Sequence, residues 1–544
     1  MPSGILGTAL TGLMAFQRSM QTTSNNVANV NTDGYSRQDT NLMSNPSSIT
    51  GAGNFVGNGV DVNSITRNYD QFINSNIRSS ASSLGDASAF QAMTAQVDNL
   101  LADPESGMSN AIKSFFNSVN GVSSDPTSMP ARQVMVSEAK TLSTQFNIVS
   151  SRLDTLRAQN NAKMQESVDK INSFTQNIAD LNVKIASLTS GGGTQAPNEL
   201  LDQRDLLLAQ LAGHIDVATL ARPDGSIDVF IGQGQALISG DARSKLELTN
   251  STTDIMQKTV LMNGYDVSSQ FSSGALAGAI KFRDQVLDPA QQQLGLVAAG
   301  IGQAFNNIHT QGIDLNGASG KAMFTFEPEQ IPVFSSIGNA GGYIKATFDS
   351  ATLNQMQASD YLLDYAAGSY TLTRLSDNVK VMLPTGGLPT TVDGINITQV
   401  TPPAGTSSFI IRPTYLAARN INAVITDPRA IAAATTSGDV GDNTNALALA
   451  GLENQGILFG GNTLAQTYQT LVAKVGSSAN AANVSLSAQK ALNNQAIEAR
   501  ASFAGVNLDE EAANLIKFQN AYQASSQVIA ISRSLFDSLL GAIR

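Results

Sequence analysis

Residues 24–38 read SNNVANVNTDGYSRQ and follow directly on the apolar run GILGTALTGLMAFQRSM at residues 4–20. Leu6, Ala9, Leu13, Phe16, Met20, Thr23, Val27 and Val30 recur in alternating steps of three and four, which places them on one seam of an α-helix. Where that helix ends stand three side-chain amides, Asn25, Asn26 and Asn29, able to cap or bridge. Asp33-Gly34 then supplies a turn in which glycine tolerates positive φ. A helix exit so rich in hydrogen-bonding groups, closed by Tyr35, Ser36 and Arg37, calls for a partner segment docked on it.

The far end of the chain repeats the pattern. Leu508, Glu511, Leu515, Phe518, Tyr522, Ser525, Ile529, Ser532, Phe536 and Leu539 keep the same stepping. Asn507 reads as an N-cap, Glu510 as the residue that returns a hydrogen bond to it, and Asp509, Glu510 and Glu511 complement the positive end of the helix dipole. A helix from Leu508 to Gly541 would be roughly 50 Å long and cannot bury its seam alone. The two ends are therefore expected to pair with each other and with neighbouring copies. Glu511, Ser525 and Ser532 interrupt the C-terminal seam and forfeit burial, so association should need many subunits rather than one dimer.

Between the ends, residues 66–321 read as a helical domain. Breaks stand at Asp103-Pro104, Asp125-Pro126 and Met129-Pro130, and a long amide-rich helix over about 131–188 stops at SGGGT. A shorter helix spans 198–212, and HIDVATLARPDGSIDVFIGQ alternates about Pro223-Asp224-Gly225, which places a β-hairpin near 214–262. Eight of the sixteen prolines lie between Ala322 and Pro428, and that segment alternates in the strand manner, so 322–428 reads as an inserted β-rich domain. Helix returns over 429–504, and the terminal pieces are 1–65 and 505–544. The expected fold is multidomain and mainly α with inserted β, nested so that the β-rich domain lies farthest from the paired ends.

Composition narrows function. Charged residues are 14% of the chain against about 25% in an ordinary soluble domain. A net charge of −11 with no Lys/Arg cluster argues against a nucleic-acid partner. There are no cysteines, which removes disulfides, thiol nucleophiles and thiolate metal sites. No stretch reaches the roughly 18–20 apolar residues of a membrane span, and the start of the chain lacks the pattern of a removable secretory signal. His214 and His309 lie outside any metal spacing and read as structural. GQGQA at 232–236 and DLNG at 314–317 read as turns, and Asp202 with Asp205 as a solvated helix face beside Arg204. No catalytic, cofactor-binding or metal-ligating set is expected.

SNNVANVNTDGYSRQ, together with GNGVDVNSITR at 57–67, resembles the N-terminal signature of the bacterial flagellar axial proteins, the rod, hook and hook-associated family. The residues carrying it are Asn25, Asn26, Asn29, Gly34, Tyr35, Ser36 and Arg37. GYSRQ and the tail at 505–540 are similar to the family members at the hook–filament junction; hook and rod members usually carry an aromatic-lysine in place of Tyr35-Ser36-Arg37. The resemblance implies a non-enzymatic subunit of the hollow flagellar axis. It would be exported through the flagellar type III apparatus after a transient cytoplasmic stage, and would act extracellularly. It also implies assembly through the terminal helices, with Leu6, Leu13, Phe16, Met20, Val27, Val30, Leu508, Leu515, Phe518, Tyr522, Ile529, Phe536 and Leu539 at the interface. Implied partners are hook protein, the next junction protein, copies of the chain and a cytoplasmic export chaperone on the C-terminal segment. Competing readings are a hook or rod subunit, a secreted adhesin-like coiled coil, or a cell-wall hydrolase on an axial scaffold.

Overall fold

The computed structural model describes residues 2–46, 48–50, 54–102, 107–190, 196–232, 234–252, 257–326, 330–339, 341–349, 351–383, 387–435, 439 and 441–543. Helix α1 (Pro2–Ala28) leads through the turn at Gly34 into β1 (Gln38–Ser44), the short pair β2 (Ser48–Thr50) and β3 (Asn54–Val56), and β4 (Val60–Arg67). β1 and β4 pair antiparallel with a bulge at Asn41/Leu42, and both pack on α1. Four helices follow: α2 (Gln71–Leu101), α3 (Met108–Ser124), α4 (Met129–Ser190) and α5 (Asn198–Ala212). The Asp70 carboxylate starts α2 by accepting the N–H groups of Phe72 and Ile73 at 2.7 and 3.0 Å. Asp125-Pro126 separates α3 from α4, while Pro130 sits in the first turn of α4, where its missing N–H leaves no bond unmade. The expected break at Asp103-Pro104 and the glycines of SGGGT lie outside the described residues.

The hairpin expected near 214–262 is part of two sheets. β5 (Val217–Ala221) and β6 (Ile227–Ile231) do pair about the proline turn. β7 (Gln235–Ser239) and β8 (Ala242–Arg243) extend them to four strands, and β9 (Leu246–Asn250), β10 (Lys258–Met262) and β11 (Tyr265–Asp266) form a separate three-stranded sheet. Both sheets lean on α4, whose polar residues hold them. Asn182 Nδ2 donates to the carbonyl of Ile227 at 2.8 Å while its Oδ1 accepts the Ile227 N–H at 3.2 Å, and Asn172 grips Leu246 in the same two-way fashion at 2.8 and 3.0 Å. Met164, Val168, Ile171, Ile178 and Leu211 fill the core between helix and strands.

α6 (Ala275–Phe282) runs through a π-helical turn, Arg283–Leu287, into α7 (Asp288–His309). The outer β region opens with β12 (Phe324–Phe326), continues through β13 (Val333–Ser335), β14 (Tyr343–Phe348), β15 (Tyr361–Ala366), β16 (Ser369–Arg374), β17 (Lys380–Met382), β18 (Thr390–Val392), β19 (Ile395–Thr401) and β20 (Ser407–Ile411), and ends beyond the short α8 (Ala417–Asn420) at β21 (Ile421–Ala423). Strand order β13-β20-β15-β16-β17 makes one sheet and β14-β19-β18 another, and both contribute to a core around Tyr361, Leu363, Ile397 and Phe409. β12 and β21 pair with each other at the root, and Phe324, Phe326 and Ile421 belong to the core of the helices. The chain returns as α9 (Thr444–Gly451), α10 (Leu464–Ala504) and α11 (Leu508–Ile543). A capping box between Thr463 and Gln466 starts α10.

His309 ends α7 fully buried. Its Nε2 accepts the Ala432 N–H at 2.9 Å, so the ring proton sits on Nδ1 and is donated to the Lys321 carbonyl at 2.6 Å. Burial holds its pKa below the ordinary histidine value. The unfolded chain therefore takes up the proton first on acidification. The stability that neutral His309 contributes is complete above the unfolded value near 6.5 and drains away as pH falls below it. Thermal unfolding should show a larger fall in Tm from about pH 7.5 to about pH 5.5 for the unaltered chain than for His309→Gln. Equal falls in both proteins would remove His309 as the source.

Candidate assembly site

The amides at the exit of α1 build a mount for the five residues that follow. Asn26, 1% exposed, donates from Nδ2 to the Gln38 carbonyl at 2.9 Å and accepts the Gln38 N–H on Oδ1 at 3.0 Å, acting as one residue of a β-pair. The Tyr35 hydroxyl donates to the same Oδ1 at 2.8 Å. Burial, followed by the charges of Glu199, Asp202 and Glu511, pushes that phenol far above its usual range, so it remains a donor. Asn29 donates to the backbone carbonyl and the side-chain oxygen of Asn25, both at 3.0 Å, and tightens the last turn of the helix. Gly34 has φ +82°, and a Cβ there would lie 3.1 Å from Leu206, so both conformation and space ask for glycine.

Gly34 to Gln38 receive contacts from the opposite end of the chain. Arg500 of α10 donates to the Gly34 carbonyl at 2.7 Å, and the Arg37 N–H donates to the Ala504 carbonyl at 2.8 Å. The Arg37 guanidinium meets Glu510 at 2.6 Å and Glu511 at 2.8 Å, both in the first turn of α11. Burial works against the Arg37 charge, but the hydrogen bond to Glu510 and the charges of Asp39 and Glu511 outweigh it and raise its pKa. Glu510 is thus spent on Arg37 rather than on the expected return bond to Asn507, whose Oδ1 accepts the Asp509 N–H at 3.0 Å. Glu511 does not merely interrupt a seam, because its side chain is 1% exposed and is paired with Arg37 from the opposite end of the chain.

A second buried ion cluster lies beneath. Asp202 accepts the Ser36 N–H at 2.9 Å and pairs with Arg67 at 2.7 Å, while Asp205 pairs with Arg67 at 2.6 Å. Gln38 Nε2 donates to Glu199 at 3.1 Å. Asp202, Asp205 and Arg204 are therefore no solvated face: Asp202 is 5% exposed, and Arg204 turns inward to the Gly225 carbonyl at 2.7 Å. Periodicity along α5 could not reveal this, since the partner cation stands 135 residues away, at the end of β4.

α1 lies antiparallel on α11, with Gly12 against Ser525 and the exit of α1 beside Glu511. Within one chain the covered stripe of α1 is Ala9, Gly12, Ala15, Ser19, Thr22, Thr23 and Asn26. That stripe is turned by about one position from the seam drawn by the large residues, because small side chains let two helices approach closely. Leu13, Phe16, Met20 and Val30 are half-buried, and Leu6 and Val27 are exposed. On α11, Leu515, Phe518, Tyr522 and Ile529 are half-buried, Ser532 is buried, and Leu508 and Phe536 are exposed. The side chain of Leu539 lies outside the described residues. Exposed apolar residues gather where the free ends of the two helices meet: Ile5, Leu6, Leu10 and Met14 on α1, and Val528, Ile531, Leu535 and Phe536 on α11.

No helix among the described residues is long and apolar enough to cross a membrane, and no group of three His, Cys, Asp or Glu among them could hold a metal ion. Arg67→Ala would strand Asp202 and Asp205 without their cation. Removing one partner of such a buried pair typically costs about 3–5 kcal/mol. A urea titration of the full chain should show that loss, and a midpoint unchanged from the parent would contradict the buried-cluster assignment.

Known proteins share this plan. Residues 94–324 match the family model of the flagellar hook-associated protein FlgK helical domain, and residues 334–413 that of the flagellar hook-associated protein 1 D2-like domain. Residues 6–35 match the flagella basal body rod protein model, and residues 500–542 the C-terminal model of the flagellar basal body rod FlgEFG proteins. Flagellar hook-associated protein 1 of Salmonella typhimurium is 32% identical over 554 residues, spanning 99% of each chain. The Escherichia coli protein of that name is 31% identical, again over 99% of each, and the Bacillus subtilis one 24%. The solved flagellar hook junction protein FlgK from Burkholderia pseudomallei superposes with a TM-score of 0.73 over 79% of this chain and 100% of its own, at 24% identity, a likeness of fold. Full-length identity of this size, with family models on both chain ends and on the two middle regions, means that the chain belongs to the flagellar hook-associated protein 1 family.

Proposed function

We propose that the chain is a non-enzymatic structural subunit of the junction between flagellar hook and filament, built into a tube of copies through α1 and α11. The observation that carries this reading is the apolar patch at the free end of the helix pair. Ile531 and Leu535 are 60% and 54% exposed, and Leu6 and Leu10, on the free half of α1, are 44% and 45% exposed. Each such side chain would contribute about 1.5–3 kcal/mol on full burial. The interface residues drawn from the sequence divide accordingly: Leu13, Phe16, Met20, Val30, Leu515, Phe518, Tyr522 and Ile529 serve both the internal helix pair and its flanks, Leu6 and Phe536, toward the free end, face copies, and Val27 and Leu508 stand exposed beside the strut.

In this reading hook protein lies on one side of the layer and the next junction protein on the other. The unassembled C-terminal stripe is masked by a cytoplasmic export chaperone until type III export delivers the chain to the outside of the cell. The β region at 331–411 forms the outermost layer, since its core is separate from the helical core and its two connections run through β12 and β21. A hydrolase reading finds no support in the histidines: His309 is locked between two backbone groups, and His214 sits in the turn after α5 beside Phe174.

Labelled antibody against the chain should mark the distal ends of hooks, and marking confined to the cell envelope would favour a rod subunit instead. Ile531→Ser combined with Leu535→Ser should leave thermal unfolding of the purified chain unchanged while hooks accumulate without filaments and flagellin escapes into the medium. A lowered Tm with normal filaments would place these residues in the subunit's own core. Amide exchange gives an independent measure. With so much apolar surface unmatched, α1 and the distal half of α11 should exchange quickly in the free chain and slowly in isolated hook–junction particles, and equal protection in both would show that neighbours add nothing.

A further inference from the structure

We infer that Gly34–Gln38 is a strut fixing the angle between the α1/α11 rod and the helical domain, and that Gly505 is the pivot it locks. The helix breaks between Ala504 and Leu508. Gly505 is extended at φ −73° and ψ 154°, and a Cβ on it would lie 2.2 Å from the Ala501 carbonyl oxygen, so any other residue forces the break to move. Polar contacts from both sides of this break end on the strut. Arg500 and Ala504 reach it from α10 through Gly34 and the Arg37 N–H, and Glu510 and Glu511 reach it from α11 through the Arg37 guanidinium. From the helical domain Asp202 takes the Ser36 N–H, and Asn68 donates to the Arg37 carbonyl at 2.8 Å.

Beside the strut lies a cleft of about 610 Å³ lined by Thr32, Tyr35, Ile77, Leu206, Ile497 and Arg500, so close packing does not hold the elbow there and the charged and amide contacts must. Buried pairs of this kind contribute little net stability but choose one geometry among several. That is what a subunit needs if every copy is to present its rod at the same inclination. The inference rests on the junction reading, in which rods of many copies meet.

The test uses the full chain in cells and in purified form. The variants are Arg37→Ala, Arg37→Lys, and an insertion of two glycines between Gly505 and Val506 that keeps every rod and domain residue. For each, the chain secreted into the medium, the chain retained on isolated hooks, the filaments per hook and the thermal unfolding of the purified protein are measured. Export and the unfolding transition of the helical domain should stay at parental levels, because Glu511, the carboxylate that Arg37→Ala leaves unpaired, lies on the rod. Retention and filament number should fall by about tenfold or more for Arg37→Ala and for the insertion, with Arg37→Lys intermediate because a lysine keeps the charge but cannot span both glutamates. Parental retention of the insertion variant would overturn the strut while leaving the junction reading intact. A fall in Tm matching the fall in retention would also overturn it, by making Arg37 a folding residue. Absence of the unaltered chain from hook ends would sink the junction reading and the strut with it.

Discussion

A half-buried guanidinium must be answered by acids, and Arg37 is answered chiefly from the far end of the chain, with Asp39 at 3.7 Å its near neighbour. Its partners Glu510 and Glu511 open α11, and its own N–H is taken by the last residue of α10. Both ends of a 544-residue polypeptide are thereby tied to one five-residue segment. Everything outward of that point follows from the tie. α1 and α11 run back antiparallel from it, and α2, α5 and α10 converge beneath it. Arg67 repeats the logic one layer down, joining the end of β4 to Asp202 and Asp205 of α5. The two clusters share Asp202, which holds the Ser36 N–H with one oxygen and Arg67 with the other, so the chain entry cannot shift without disturbing the domain below.

The low charge of the chain is compensated by asparagine used as backbone. Asn26, Asn172, Asn182, Asn306 and Asn339 each donate to the carbonyl and accept the N–H of a single residue, respectively Gln38, Leu246, Ile227, Phe324 and Ser408. Each bond pair imitates the exchange between opposed residues of an antiparallel ladder. Backbone groups that would otherwise be left unmade, an arrangement that costs free energy when buried, are satisfied without a further strand. Helices α1, α4 and α7 can in this way receive the starts of strands along their sides. An amide-rich composition is therefore a structural solution here rather than a sign of disorder.

Local pattern carried much of this in advance. The helix at 198–212, the long amide-rich helix before it, the strands about Pro223-Asp224-Gly225 and the break before Leu508 were all legible, because spacing and turn residues act within a few positions. Illegible parts depended on distant partners. Asp202 and Asp205 read as solvated because Arg67 is invisible from α5, and Glu511 read as a flaw because Arg37 is invisible from α11. The N-terminal seam was drawn through the large residues, whereas the chain's own contact runs through Ala9, Gly12, Ala15 and Ser19. Hydrophobic periodicity ranks residues by apolar area, and a helix contact made of glycine, alanine and serine has little to rank. The single hairpin widened to two sheets in which β7, β8 and β9 pack against α4, a partner that alternation along the chain does not show.

That rotation of α1 divides the work between the two faces of the rod. Small residues close the helix pair inside one chain, which leaves the large ones at the flanks and outside, and they are not evenly distributed. Toward the free end stand Ile5, Leu10, Met14, Val528, Ile531 and Leu535, whereas near the strut the exposed positions are chiefly polar, among them Gln17, Arg18, Gln21, Lys517, Asn520 and Gln523, with Val27, Leu508 and Ile516 as exceptions. The rod thus has a root satisfied by its own chain and a tip that is not. Copies meeting at their tips gain apolar burial, while copies meeting at their roots would have to desolvate amides and charges already committed to Arg37 and its neighbours. In the proposed junction, rods of this kind would close at the tip, and the inclination at which each tip arrives would be decided at the other end, by the contacts that hold residues 34–38.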